Sequence, residues 1–415
     1  MNKSFAVAAV LLLASHPLWA GEKRGLWDSK RYLGWEQKWG VGDAHLYYDD
    51  VNPLVRYNRV EGLLVGARVP RSYRDCQGVA SYGELAYSFG NSAWHYQAGT
   101  QVFTFQACHR DNPHLASLGV ELYDLTATQD SYLVPEEVNS VYAALFRRDM
   151  RDYYRRVGWS VYAVQNLAGA VQLTGRLAHD EFFNLENAVH WILLGNRLAR
   201  DQFRANPAID EGTAVRLQAE VQFDTRSNGD QRQGWLVNAL AERAGDLGGE
   251  YAFRRYLIDL RRYHPIARGT QIDLRLRLGR GDGGVGRCIG DGDTCSSQGG
   301  LPQQYLFDLG GYSTLRGYPY KAFTGDRMIL LNAEYWINAD HTDGWRAGVL
   351  FDVGSAWFAR LEDAAKIGVG ESLDTDFKAS LGFGIGDDEC QFELARPFGQ
   401  RDADWHYAIR FSETF

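Results

Sequence analysis

For most of its length the chain alternates apolar or aromatic residues with polar ones, in runs of roughly ten residues separated by Gly, Asn, Asp and Pro. Alternation of this kind puts one set of side chains on each face of a β-strand. It predicts strands over 55–70, 78–90, 93–107, 115–127, 137–149, 157–167, 170–184, 213–226, 234–246, 250–263 and 269–281. After a long Gly-rich connection come 325–338, 345–358, 376–387, 389–398 and 405–415. That is sixteen strands, an even number, as a closed antiparallel barrel with both chain ends on one side requires. The tight connections at Asn91-Ser92, Leu167-Ala168-Gly169 and Asp388 are expected on the periplasmic side. The long ones, 185–212, 282–324 and 359–375, are expected on the outer side. Val141 to Arg156 mixes Ala, Leu, Arg and Met and suits a helix as well as a strand. A helix there would make the count odd, so a strand over 137–149 is expected.

Composition narrows the class. The 415 residues include 45 Gly, 23 Tyr and 12 Trp but only 3 Met. No run of eighteen apolar residues follows the N-terminal region, so no transmembrane helix is expected there. Aromatic-rich, weakly hydrophobic strands suit an all-β transmembrane antiparallel barrel, although a soluble β-sandwich has similar composition. A formal net charge of −8 gives no electrostatic case for nucleic acid. Residues 1–20 read as a signal peptide, with Lys3 at the positive end, Phe5 to Ala14 as the apolar core and Trp19-Ala20 at the cleavage edge. Residues 21–54 form a short periplasmic segment without clear period, and 55–415 the barrel.

Five cysteines suit an oxidising compartment. Cys288 and Cys295 bracket a Gly-Asp-rich hairpin, while Cys76 and Cys108 fall in loops at the same end of neighbouring hairpins. Both pairs are disulfide candidates in outer loops, and Cys390 is left over as a free thiol. The final strand alternates Trp405, Tyr407, Ile409 and Phe411 with His406, Ala408 and Arg410, and the chain ends at Phe415. A terminal aromatic after such a strand resembles the signal by which outer-membrane barrels are recognised for insertion.

Two strand-like runs carry isolated carboxylates: Glu334 within Ile329–Ile337, and Asp352 within Val349–Trp357. A carboxylate on a buried strand needs a cation. Arg316, in Leu315-Arg316-Gly317-Tyr318 on the long connection, has the planar fork to serve both. These residues, with Phe351-Asp352-Val353-Gly354, lie in order within about forty residues. They resemble the bacterial surface antigen superfamily, whose members include the assembly factor BamA and the two-partner secretion transporters. Asp224-Thr225-Arg226-Ser227-Asn228 before Gly234-Trp235, and Tyr57 to Leu63, resemble further parts of that family's barrel.

The resemblance implies that loop 282–324 plugs the lumen, latched by Arg316, Gly317, Tyr318, Glu334, Asp352 and Gly354. It implies a role in inserting or moving proteins or lipids at the outer membrane of a Gram-negative bacterium, without catalytic residues, cofactor or metal. The surroundings would be lipid and lipopolysaccharide, with the cell's barrel-assembly machinery needed for biogenesis. The segment 21–54 is too short for the family's periplasmic polypeptide-transport-associated domain, so a periplasmic partner is a further expectation.

Alternatives remain open at this point. The chain reads also as a passive or partner-dependent channel or structural barrel. A barrel-embedded hydrolase is the third reading, with His179 beside Asp180 and Glu181, and His190 near Asn187, as its candidate residues, although no Ser is paired with them in the sequence. No Gly-x-Ser-x-Gly elbow, phosphate loop or HExxH is present, and Gly-Asp-Gly-Asp at 290–293 lacks the rest of a calcium loop.

Overall fold

The computed structural model describes residues 52–69, 79–107, 114–167, 170–192, 202–226, 233–267, 269–285, 298–299, 301–337, 345–360, 376–387, 390–400 and 403–410. The strands are β1 (Asn52–Asn58), β2 (Gly62–Val69), β3 (Val79–Ser88), β4 (Ala93–Ala107), β5 (His114–Ala127), β6 (Tyr154–Leu167), β7 (Val171–Asn184) and β8 (Gly212–Asp224). They continue with β9 (Gly234–Ala267), β10 (Thr270–Val285), the short β11 (Gln298–Gly299), β12 (Phe307–Leu309), β13 (Phe323–Gly325) and β14 (Arg327–Ile337). The last four are β15 (Arg346–Trp357), β16 (Lys378–Gly386), β17 (Gln391–Pro397) and β18 (His406–Arg410). One α-helix, α1 (Glu136–Phe146), interrupts the order between β5 and β6.

The main sheet runs from β1 to β10 and then from β14 to β18, every pair antiparallel and every step to the next neighbour. β9 is one continuous hairpin. Its first arm pairs with β8 and its second with β10. The arms face each other, with Trp235 under the Arg262 guanidinium and Gly245 against Ala252. Counting both arms, sixteen strands cross the barrel. Among the described residues no ladder joins β1 to β18, and α1 stands between them.

The faces are inverted relative to a soluble protein. On β5, Leu118, Val120 and Leu122 are exposed outward, while Ser117, Glu121 and Tyr123 are buried inward. On β6, Trp159 and Val161 face out and Ser160 and Tyr162 face in. The same alternation puts Arg261, Arg275, Arg277, Glu334, Asp352, Glu393 and Arg410 inside. An apolar outer belt around a charged interior is stable when hydrocarbon surrounds the barrel. The outer half of the lumen is filled by the loop between β10 and β14. There Tyr305, Phe307, Leu309, Leu315 and Tyr318 pack against Phe182, Tyr251, Phe253 and Leu330 of the wall.

Four expectations are corrected here. The run expected as a strand over 137–149 is the helix α1. Pro135 precedes it, Glu136 and Glu137 favour its positive end, and Arg147 closes it in the left-handed region. The run expected as one strand over 55–70 is the hairpin β1–β2. Asn58 Oδ1 accepts from the N–H groups of Val60 and Glu61 at 3.0 and 2.7 Å, and Gly62 turns the chain back at φ +65°. The two errors cancel in the count, so parity was no guide to either. The extra turn also reverses the sense of the early strands. Asn91-Ser92 therefore lies at the end that carries the long connections, not opposite them. The connections that hold Cys76 and Cys108 join β2–β3 and β4–β5, at the opposite end from the long loops rather than among them. Cys76, Cys108, Cys288 and Cys295 themselves lie outside the described residues, as do Phe411, Phe415 and 290–293.

Candidate functional site: the tucked loop and the seam

The connection between β10 and β14 turns inward at Gly310 and Gly311 and brings Arg316 to the middle of the wall formed by β14 to β18. Arg316 is buried at 5% exposure. Its Nη2 is 2.5 Å from Asp352 Oδ1, its Nε 3.0 Å from Oδ2, and its own backbone N–H donates to Oδ2 at 3.0 Å. Its Nη1 donates to Glu334 Oε1 at 2.5 Å and reaches Glu393 Oε1 at 3.4 Å. Each carboxylate has further donors. Asn332 and Ser380 give to Asp352 at 2.8 and 2.9 Å, and the Trp336 indole gives to Glu334 at 2.9 Å. Burial without such partners would make each charge costly.

The rest of the Leu-Arg-Gly-Tyr stretch fits the wall closely. A Cβ on Gly317 would lie 2.4 Å from the Arg396 carbonyl carbon and 2.6 Å from Ser380 Cβ. The Tyr318 hydroxyl donates to the Ala379 carbonyl at 3.2 Å, and its ring meets Phe323 edge-on. A Cβ on Gly354 would crowd the Ile329 carbonyl oxygen at 2.8 Å and Leu309 of the loop at 3.1 Å.

Two members of this cluster were not singled out in the sequence. Arg410 of β18 donates to Glu334 Oε1 at 2.9 Å and also bonds Glu393 of β17. The cluster thus holds two cations and three carboxylates, spans four strands and ties the loop to the last of them. The signal was present, since Arg410 falls on the inward parity of the terminal run, and Glu393 shares that parity on β17. Inward charges are common in such barrels, however, so parity alone does not pick a partner. Tyr407 and Ile409 of the same strand face outward and are exposed.

A second cluster anchors the loop at the outer mouth. Lys321 Nζ lies 2.9, 2.6 and 2.9 Å from Asp130, Asp152 and Asp308. Asp130 and Asp152 flank α1 in sequence, so Lys321 joins the loop to the segment that carries the helix. Burial opposes the Lys321 charge, but Asp130, Tyr320, Asp308 and Asp152 outweigh it and hold the ammonium well above the usual lysine value. Burial raises the Asp130 carboxyl, and Lys321 offsets this only in part. Asp152 is buried too, yet Lys321 and Arg204 hold it down to about 2. Arg204 Nη1 sits 2.5 Å from it.

The residues imagined as catalytic do not converge. His179 stacks on Trp159 on the outer side, whereas Asp180 points inward to Arg216 at 2.6 Å and to the Tyr123 hydroxyl at 2.6 Å. His190 is exposed on the β7–β8 connection. Cys390 is an exposed free thiol. Asp224 accepts from the Arg226 backbone N–H and side chain at 3.0 Å, which closes the turn before Gly234.

Fold and loop together define a class: an outer-membrane β-barrel whose long loop carries an Arg-Gly-Tyr tip into its own lumen. The chain belongs to the Omp85 superfamily, whose domain matches residues 122–412. No curated protein matches it. Among solved structures it is similar to CdiB from Acinetobacter baumannii at 12% identity and a TM-score of 0.41, covering 87% of this chain and 59% of that one. It is also similar to CdiB from Escherichia coli, at 12% identity and a TM-score of 0.38, covering 86% of this chain and 61% of that one. The chain thus spans about three fifths of the length of each.

Proposed function

We propose that this barrel inserts or translocates protein, or lipid, at the outer membrane, and that the Arg316 cluster is the latch that keeps loop 282–324 in the lumen. The observation that carries the reading is the seam in an Omp85 barrel: β1 and β18 are edge strands with no ladder between them among the described residues. An unpaired edge presents free N–H and C=O groups and can template an added strand. The latch gives that seam a fixed side. Arg410 holds β18 to β17 and, through Glu334, to the loop, so opening takes place at β1 and α1 rather than inside the β14–β18 wall. Lipid and lipopolysaccharide surround the apolar belt, and any periplasmic partner meets the end opposite the long loops.

Quantitative proteomics and lipid analysis of outer membranes, from cells with and without the protein, test the reading. Loss of a small set of envelope proteins or of one lipid class is the expected result. An unchanged envelope, with large steady currents from the purified protein in planar bilayers, would replace it with a passive channel.

A further inference from the structure

The helix α1 stands in the seam and bonds both of its edges. Ser140 Oγ accepts the Tyr57 N–H of β1 at 3.2 Å while donating its own proton to the Glu136 carbonyl at 2.8 Å. Two residues on, the Tyr142 hydroxyl donates to the Ile409 carbonyl of β18 at 3.0 Å and lies 3.3 Å from the Ile409 N–H, which gives to it. One short helix therefore satisfies backbone groups on two strands at opposite ends of the sheet. Packing follows the same division. Ala143 and Ala144 lie with Tyr57 and Val189 on the β1 side, while Val138 and Tyr142 lie with Ala408 and the loop residue Tyr312 on the β18 side. Arg56 of β1 reaches Glu136 at 3.4 Å, and Arg148 lies over the Tyr407 ring at 5.1 Å, with a hydrogen bond to its hydroxyl at 3.1 Å.

In hydrocarbon an unpaired backbone group has no water to turn to, so an open edge must be covered. Side-chain hydroxyls cover this one with three hydrogen bonds, where a strand would supply a continuous ladder. We propose that α1 is a removable wedge: it occupies the outer half of the seam as a stand-in for a strand, and it must leave before β1 and β18 can pair with each other or with an added strand. The segment on either side of α1 is tied to the plugging loop by Lys321, by the Tyr320 hydroxyl on the Met150 carbonyl, and by the Tyr132 hydroxyl, which donates to the Asp308 carbonyl at 3.3 Å. Withdrawal of the wedge and loosening of the loop are therefore coupled. The inference rests on the insertion reading only for its purpose; the position of the helix is independent of it.

Hydrogen exchange of the full-length chain in lipid nanodiscs tests the wedge, comparing wild type with Tyr142→Phe and with Ser140→Ala/Tyr142→Phe. Peptides covering 406–410 should exchange about fivefold faster in the single variant, with 52–58 joining them in the double variant, while the β6–β7 peptides keep wild-type rates. Unchanged protection at both edges would mean that the helix does not cover them, and would overturn the proposal. A uniform rise throughout the barrel would do the same, because it would mean that the hydroxyls serve general stability. Should the double variant not fold, Arg148→Cys/Tyr407→Cys in a Cys390→Ser background, bridged by a short bis-maleimide, keeps the Ser140 and Tyr142 hydroxyls in place. The bridge should slow exchange at 406–410 below wild type, and no slowing would refute the wedge. No client enters these measurements, so their failure is distinct from failure of the insertion reading, which the envelope comparison reports.

Discussion

The β14–β18 wall and the β1–β18 seam enclose the same lumen but are held by different means. At the wall, Arg316 and Arg410 share three buried carboxylates through eight charge-assisted bonds, six of them from the loop tip. At the seam, three hydrogen bonds from two hydroxyls cover the edges. Neutral bonds contribute about 1 kcal/mol each, whereas removing one partner of a buried charged pair costs roughly 3–5 kcal/mol. On these magnitudes the proposed opening of the seam costs less than release of the plug.

The largest effect should come from Arg316→Ala. Asp352 would lose its main cation, while Glu334 and Glu393 would keep Arg410, so the cost should fall at or below the lower end of roughly 3–5 kcal/mol. The expected outcome is a lower unfolding temperature and protease cleavage within 301–325 of the folded barrel. Arg316→Lys should recover part of this, since an ammonium cannot fork two carboxylates. An unchanged cleavage pattern would place the strength of the wall elsewhere.

Next in size is Gly317→Ala, where the new methyl meets the backbone at Arg396 and cannot be relieved by a side-chain rotation. A cost of about 1–3 kcal/mol is expected, with the loop again the site of cleavage. A neutral outcome in thermal unfolding would show that the tip has slack.

Acid should act on the mouth cluster more gently. Asp152 is held down to about 2, so it contributes stability at neutral pH that is lost as pH falls from about 4 towards 2. Asp130 is shifted up by burial, so it takes its proton earlier, and that protonation relieves the folded state rather than weakening it. Thermal unfolding followed from pH 6 to pH 2 should therefore stay level at first and then drop, by on the order of 2 kcal/mol. In Lys321→Met the late drop should disappear. A drop beginning above pH 5 in wild type would contradict the assignment.

The smallest global effect is expected for Tyr142→Phe, about 1 kcal/mol or less in thermal unfolding, because the seam contributes little to overall stability. A fall as large as that of Arg316→Ala would remove the contrast between the two regions.

Sequence reasoning reached the wall and missed the hairpin and the helix that border the seam, for a physical reason. Glu334 and Asp352 stand out because each lies among apolar and aromatic residues, and the Arg of Leu315-Arg316-Gly317-Tyr318 on a Gly-rich loop is an obvious counter-ion. Most strands were legible from alternation, since lipid on one face and charge on the other enforce it. The seam carries no such contrast. Asn58 and Gly62 mark a turn, but Arg59-Val60-Glu61 between them continues the alternation of the strands on either side. Pro135-Glu136-Glu137 is a helix start, yet Tyr142, Ala144 and Phe146 also suit a strand. Arg410 and Glu393 obey the inward parity that many other residues obey, and only the fold brings them to Arg316.

The most direct test of the latch is a double-mutant cycle between Arg316→Ala and Asp352→Ala in the purified barrel, read by the free energy of unfolding. Shared bonds predict that the double variant loses less than the sum of the singles, with a coupling on the order of 1–3 kcal/mol. Additive losses would show that Arg316 and Asp352 do not hold each other, and the account of the tucked loop would fail.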